Sequence, residues 1–446
     1  MKTIEAIGAE LQGYDPQALS VSMVNAFLAQ LVTPLTDTER VGIFDALGRV
    51  LAQDVISPIS VPPHDNSAMD GFAFNGAALV SQTPLSLKVL GTALAGKAWA
   101  GTVQANECVK IMTGAIVPAG LDTVVPQEFV TLNGDAITVP AGLLQAGDNR
   151  RKLGEDLMQG QAALQKGELL KPAAMGLLAS LGISEVLVFR KLRVAYFSTG
   201  DEILSLGEAP REGAVFDSNR YTVWGLLTRM GCEVIDMGVV RDEPALLEAA
   251  FLQAASQADA IITSGGVSVG EADYTKAMMK KLGDVAFWRI AMRPGRPMAV
   301  GRIINAKSAS SAQPASLSSS QKESGPSSNQ AILFGLPGNP VAVMVTFLAF
   351  VRPALLQMMG STQAPPPLLK ARSQEAIRKK PGRTEYQRGT VSTAPDGSLQ
   401  VHTTGNQGSG VLSSMVQANG LIVLHHAQGN VALGDAVDVM VFDGVI

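Results

Sequence analysis

The spacing of apolar and polar residues changes several times along this 446-residue chain. Near the start, VSMVNAFLAQLV repeats apolar residues at helical spacing, and residues 1 to about 56 read as helical. SPISVPPHDNSAMDGFAF then breaks the pattern with proline and turn residues, which puts a boundary near Ser57. From there to about residue 149, short strand-like runs alternate with turns: SLKVLG, CVKIMTG, TVVPQEFV and AITVP. The stretch after Arg150 returns to turns and a helix, ending in KPAAMGLLASLG. The β-rich part therefore reads as an insertion into a helical linking region.

The period changes again at Leu192. RVAYFST, CEVIDMGVV and ADAIITSGG read as strands, separated by the helical runs DSNRYTVWGLLTRMG and PALLEAAFLQAASQ. Asp217 or Ser218 is placed to cap the first helix, Gly231 to end it, and Pro244 to open the second. Alternating β and α elements predict a doubly wound, mostly parallel sheet with helices on both faces. WRIAMRPGRPMAVGRI adds strand-like pieces, and LFGLPGNPVAVMVTFLAFVRPALLQMMG adds a strand, a turn and an apolar helix. The apolar run VAVMVTFLAFV is too short to span a bilayer and reads as a buried helix. Residues 305–330 are serine-rich and have almost no large apolar side chains, so a mobile loop is expected. From about Pro365 onward the pattern is β-rich, with turns at APDGSL and GNQGSG. The expected organisation is an α/β multidomain chain. A helical linking domain takes 1–56 with 150–188, and an inserted β-rich domain takes 57–149. The α/β domain takes 189–362, and a small β-barrel-like domain takes 363–446.

Composition narrows the function. A chain this long should divide into two to four domains. The net charge is −4 and aromatics are few, which argues against nucleic-acid binding. Cys108 and Cys232 lie far apart and form no CxxC, so neither a disulfide framework nor a zinc site is expected, and a reducing cytoplasm fits. MKTIEAIGAELQG has no signal-peptide apolar core, and the four histidines lack metal-ligand spacing.

In a doubly wound sheet, ligands bind beyond the carboxyl ends of the strands. STGDE follows the first strand, Asp242 the second, and TSGGVSVGEADYTK the third. Each alone fits ordinary turn chemistry, and the glycine-rich loop matches neither the Rossmann nor the Walker pattern. Together, at one sheet edge, they suggest a backbone that wraps an anion. Asp201, Glu202, Asp242, Glu271 and Asp273 would then crowd one cleft, where like charges recruit a cation. Beside an anion the natural choice is Mg²⁺, held by one or two carboxylates and phosphate oxygens. Helix capping by Asp217 or Asp273, or pairing with Arg241, remains an alternative use of these carboxylates. AMRPGRPMAV carries Arg293 and Arg296 in a Pro-Gly-Pro frame, with Arg289 upstream. Arginine forks suit oxyanions, although a surface turn would hold the same residues.

SAMDGFA, IMTGA, GED, FSTGDE, DSNR, SGGVSVGEADYTK, RPGRP and GLPGNP occur in this order. The ordered set, from about residue 20 to the C-terminus, resembles the MoeA family of molybdopterin molybdenumtransferases, whose animal relative is the gephyrin E domain. The resemblance implies insertion of molybdenum from molybdate into adenylylated molybdopterin, with Mg²⁺ required and AMP released. It also implies a homodimer with the cleft at the subunit interface, transient contact with a molybdopterin adenylyltransferase, and no membrane. By motif, the catalytic set would be Asp70, Thr113, Asp156, Glu202, Asp242 and Asp273. The metal would lie on Asp242, Glu271 and Asp273. Ser264, Gly265, Gly266, Ser268 and Gly270 would hold the pterin phosphate, with Asp217, Asn219 and Lys276 nearby. Arg289, Arg293, Arg296, Pro337, Gly338, Asn339, Pro340 and Ser409 would complete the substrate site. The chain departs from the family pattern in two respects. Arginine stands at 289, 293 and 296 where lysine is expected, which keeps the charge but removes a shuttling proton. The serine-rich segment is also longer than expected. A nucleotide-handling relative of the sheet domain, a non-enzymatic scaffold and a tungstate enzyme are the alternatives.

Overall fold

A computed structural model describes residues 2–80, 82–267, 274–304 and 330–442. Helix α1 (Ile4–Glu10) precedes α2 (Val21–Leu31), which Ser20 caps by accepting from the Met23 amide at 3.2 Å. Val24, Phe27, Leu28 and Leu31 bury one stripe of α2, the spacing expected of an amphipathic helix. That stripe joins the core of the large sheet: the Phe27 ring meets Trp288 edge-on, centroids 4.9 Å apart. Helix does not continue from there to residue 56. Thr38–Gly42 is a strand, paired antiparallel with Glu185–Phe189 so that Val41 faces Val186. Together with α3 (Pro172–Ser180) it encloses a small core of its own around Leu51, Leu178 and Val188. The linking region is thus partly β.

The insertion is a six-stranded sheet in the order Thr123–Pro126, Gly71–Phe74, Glu107–Ile111, Leu85–Ala93, Ala136–Val139, Thr131–Asn133. Gly71 pairs with Ile111, and a side chain on Gly71 would collide with the Val125 carbonyl oxygen at 2.0 Å. This close approach fixes the segment just before it, where Asp70 lies.

The large sheet holds β1 (Arg193–Thr199), β2 (Glu233–Val240), β3 (Ala260–Ser264), β4 (Gly283–Arg289), β5 (Pro297–Ile304) and β6 (Gln330–Leu336). Its order is β2-β1-β3-β6-β5-β4. The first four strands run parallel, β5 runs antiparallel to β6, and β4 runs antiparallel to β5. The parallel strands are bought into register by crossover helices α4 (Ser218–Arg229) and α5 (Pro244–Gln257), with α6 (Tyr274–Leu282) before β4. Helix α7 runs from Pro340 to Met358, through a π-turn at Phe347–Val351. At 19 residues it is longer than the apolar run suggested and could cross a membrane by length, but 72 % of it is buried. It is the core helix of this domain, and the π-turn lets its bulky residues pack without interruption.

The C-terminal domain is a closed five-stranded barrel of β7 (Leu369–Ser373), β8 (Thr384–Thr393), β9 (Leu399–Thr403), β10 (Gly420–Leu424) and β11 (Ala436–Val441). Its strands close in the order β8-β9-β7-β11-β10 and back to β8. The two-residue strand Met292–Arg293 adds to β8 in parallel, setting Met292 opposite Thr384 and Arg293 opposite Glu385. The barrel is therefore joined to the sheet domain by main-chain pairing.

Candidate active site

Two of the parallel strands, β1 and β3, are followed directly by glycine, Gly200 and Gly265. Gly265, directly after β3, has φ +91°, and a Cβ there would lie 2.4 Å from the Thr199 carbonyl oxygen at the end of β1. Gly266 has φ +64° and is pressed against Thr275 in α6. Only glycine permits both the left-handed conformation and the approach. The same edge receives the turn after β6. There Asn219 of α4 donates to the Gly338 carbonyl at 2.7 Å.

This edge and the barrel enclose a cavity of about 680 Å³. Glu202, Gly265 and Gly266 line it from the loops after β1 and β3. Pro337, Gly338 and Asn339 line it from the turn before α7. Arg293 and Arg296 stand on the Met292–Pro297 turn, where Gly295 (φ +93°) packs against Thr346 of α7. The barrel contributes Arg383, Gln407, Gly408 and Ser409. The Ser409 carbonyl accepts from the Val341 amide at 3.1 Å, using one of the otherwise unpaired donors in the first turn of α7.

Of the sequence-derived substrate residues from the sheet domain, Gly265, Gly266, Arg293, Arg296, Pro337, Gly338 and Asn339 meet here. The others have different surroundings. Ser264 is buried and bonded to Tyr196 Oη at 2.7 Å and Ser198 Oγ at 3.1 Å, and those two lie 2.9 Å apart. Burial, then the charge of Asp217, pushes the Tyr196 phenol above its usual range, so this hydroxyl triangle stays neutral. Asp217 caps α4, accepting from the Arg220 amide at 3.1 Å. Lys276 lies in α6 and Pro340 opens α7, and neither lines the cavity. Arg289 sits on β4 where the chain before α2 crosses it: its amide donates to the Pro16 carbonyl at 2.8 Å. Ser268, Gly270, Glu271, Asp273 and the loop from 305 to 329 lie outside the described residues.

The carboxylates separate into two groups. Near the cavity, the Asp242 amide donates to Asp201 Oδ1 at 3.3 Å, and Thr275 Oγ1 donates to Asp242 Oδ1 at 3.4 Å. Among the described residues no three His, Cys, Asp or Glu side chains cluster to form a metal site. In the inserted domain, Asp70 Oδ1 accepts from both the amide and the hydroxyl of Thr113, each at 2.7 Å. These two bonds, with help from Lys110, hold the Asp70 carboxyl below its ordinary range although it is only half-buried. Asp156 is exposed on a nearby turn, with its amide bonded to the Val61 carbonyl at 3.1 Å. None of Asp70, Thr113 and Asp156 lines the cavity of its own chain.

Apart from Ser409, which the resemblance named, the barrel side was not legible from the sequence. Arg388 is 1 % exposed and lies behind the cavity wall. Its Nε donates to Ser414 Oγ at 2.9 Å, and its Nη2 donates to the carbonyls of Asn406 at 3.1 Å and Gly408 at 2.9 Å. Gln407 closes the loop with side-chain bonds to both the amide and the carbonyl of Arg388, at 2.8 and 3.1 Å. Burial, then the nearby charge of Arg293, pulls the Arg388 pKa down to about 10, so it remains a cation at neutral pH. The available signal was TEYQRG, where a lone arginine falls among strand residues.

A model of the MoeA N-terminal region, domains I and II, matches residues 19–182. A probable molybdopterin binding domain matches 195–357, and the MoeA C-terminal region, domain IV, matches 370–442. The chain is 41 % identical over 420 residues to a molybdopterin molybdenumtransferase of Haemophilus influenzae, covering 94 % of this chain and 97 % of that one. It is 34 % identical over 414 residues to a protein of the same name from Nostoc sp., covering 91 % and 88 %. A crystal structure of the molybdopterin biosynthesis MoeA protein from Pyrococcus horikoshii superposes with a TM-score of 0.76 at 25 % identity, over 95 % of this chain and all of that one.

Proposed function

Because the chain belongs to the MoeA family of molybdopterin molybdenumtransferases, which act in molybdenum cofactor biosynthesis, we propose that the sheet-edge cavity is where molybdenum insertion occurs. The substrates in this reading are molybdate and adenylylated molybdopterin, and the products are the molybdenum cofactor and AMP. The observation that carries it is the lining of the cavity: close-packed glycine backbone on one side and arginines on the other. Backbone amides and guanidinium forks both bind phosphate and tetrahedral oxyanions. Cationic groups fixed around the oxyanion would stabilise charge as the phosphoanhydride opens.

Asp242, with Asp201 and Thr275 beside it, fits a Mg²⁺ that takes one or two carboxylates and leaves its other positions to water and phosphate. Bound there, the ion would supply Lewis-acid neutralisation of the phosphate oxygens. The chain's own residues would orient the substrate. Glu202 would limit its approach from the rim, and Ser409 would face it from the barrel.

A homodimer accounts for Asp70, Thr113 and Asp156. The pair is ordered and ionised yet faces solvent, so in this reading it completes the cleft of a second subunit. The free thiols of Cys108 and Cys232 suit a reducing cytoplasm. The deciding experiment is AMP release from adenylylated molybdopterin by the purified chain, with and without Mg²⁺ and molybdate. Release that depends on both is expected; bound substrate with no release would overturn the reading.

A further inference from the structure

Ser264 carries a hydroxyl at the mouth of the sheet edge, yet it does not line the cavity. Its side chain turns into the protein, where the residue is 3 % exposed, and meets two other hydroxyls. The ladder sets Ser264 of β3 opposite Ser198 of β1, so the two serines stand at the strand ends on one face of the sheet. Tyr196, two residues earlier on β1, shares that face. Its ring is long enough to bring Oη up to the pair, 2.7 Å from Ser264 Oγ and 2.9 Å from Ser198 Oγ, with the serines 3.1 Å apart. Tyr196 and Ser198 are as deeply buried as Ser264. A hydroxyl has one proton to donate and lone pairs to accept. Three in mutual reach therefore close a ring in which each donates once and accepts once. Among the described residues, these hydroxyls have no hydrogen-bond partner outside the ring.

The ring lies directly behind the glycine loop. Gly265 follows Ser264 without a spacer, and with Gly266 it forms part of the cavity wall. At φ +91° and without a side chain, Gly265 has nothing of its own to hold it, so neighbours must set its position. Its amide donates to the Leu336 carbonyl at the end of β6, at 3.2 Å. Its Cα backs onto the Thr199 carbonyl at the end of β1. The ring supplies the remaining tie, fastening the end of β3 sideways to β1. Apolar side chains of the same shape would serve stability about as well, since a buried hydrogen bond contributes little net. What the hydroxyls add is direction: they fix one placement of the strand ends.

We propose that Tyr196 and Ser264, with Ser198 closing the ring, are positioning residues for the Gly265–Gly266 wall. They act on a phosphate-bearing substrate through that backbone and do not touch it. This rests on the molybdenum-insertion reading of the same cavity. The full chain is compared with its Y196F, S198A, S264A and Y196F/S264A variants by two readouts. The first is the kinetics of AMP release from adenylylated molybdopterin at saturating molybdate and Mg²⁺. Y196F should raise KM by about three- to tenfold, the scale of one neutral hydrogen bond, and leave kcat within about twofold. S264A loses the same bond and should raise KM about equally. The double variant should go no further than the worse single one, because the ring acts as a unit. S198A leaves the 2.7 Å Tyr196–Ser264 bond and should raise KM least. The second readout needs no turnover: hydrogen exchange at the Gly265 amide should quicken in Y196F and S264A.

A KM increase in S264A far above that in Y196F, with additive losses in the double variant, would make Ser264 a direct ligand and overturn the assignment. A lowered melting temperature with KM and Gly265 exchange both unchanged would reduce the ring to packing and overturn it equally. If Y196F does not fold, S264A decides: wild-type KM and exchange would reject the proposal. Failure of the broader reading looks different. The wild-type chain would then release no AMP, while Gly265 exchange would still report on the ring.

Discussion

The sheet-edge cavity and the Asp70–Thr113 pair both form where paired segments bring separate stretches of chain together, yet they are opposites. The cavity is a half-open cleft, lined with arginine, and assembled from two domains. The pair is open to solvent, anionic, and complete within one small sheet. A cavity that gathers cations is a binding site by itself. An ordered carboxylate that lines no cavity of its own chain makes chemical sense as part of a site whose remainder is elsewhere. The contrast teaches that preorganisation and enclosure are separate properties, which this chain builds in separate domains.

The largest test of that contrast removes the carboxylate. Asp70→Asn should lower molybdate-dependent AMP release by roughly two orders of magnitude, the scale of losing one preorganised transition-state contact. Its melting temperature should move little, because the side chain lies outside the core and an amide can still accept from Thr113. Mixing this variant with Glu202→Gln then sharpens the comparison. If the pair serves a second subunit, random two-fold exchange restores about a quarter of wild-type activity, since half the dimers regain one intact cleft. No recovery, with exchange verified, would confine the pair to its own chain.

The second test concerns the cavity wall. Arg388→Ala strips partners from the carbonyls of Asn406 and Gly408 and from Ser414. Unsatisfied buried groups cost about 1–3 kcal/mol each, so the barrel should lose at least that much in denaturant titration. A change below half a kcal/mol would mean that the loop is held by other contacts.

The parallel strands, their crossover helices and the glycine loops at their ends were legible, because the alternation of periods and the caps agree in that region. Asp217 before α4 and Pro244 opening α5 lie at element boundaries read from the sequence. Beyond Ser409, the barrel half of the site was hidden for a physical reason. Arg383, Gln407 and Arg388 become neighbours through strand closure between distant segments, and a charged residue in a β-rich stretch ordinarily faces water. The strand Thr38–Gly42 was missed similarly, since its partner lies beyond the whole insertion. Asp70 was singled out by resemblance alone; its local sequence spells only a turn.

Smaller effects probe the supports. Gly265→Ala forces a Cβ to within 2.4 Å of the Thr199 carbonyl oxygen at φ +91° and should cost about 1–3 kcal/mol, with weaker substrate binding. Wild-type stability would refute the close approach. The smallest change is expected in Thr113→Val, which removes the hydroxyl bond to Asp70 and leaves the amide bond. A carboxyl NMR titration should show the Asp70 midpoint rising toward the ordinary range. The sign follows from its depressed pKa: the interaction is present above the unfolded carboxyl value and is lost as pH falls through the lower folded value. An unmoved midpoint would assign the whole depression to the backbone.

The pairing of Met292–Arg293 with Thr384–Glu385 also bears on where this chain can be cut. Thr384 donates its amide to the Ala291 carbonyl at 2.9 Å, so a break between the domains leaves unmatched main-chain groups on both pieces. A fragment ending before the barrel would present a bare strand edge beside the apolar side chains of Met292 and Ala342, the kind of surface on which chains stick to one another. Although the matched regions follow one another in sequence, the seam between the last two is a shared cooperative unit. Amide protons on its two sides should therefore exchange with solvent together, and the barrel is unsuited to life as a separable module.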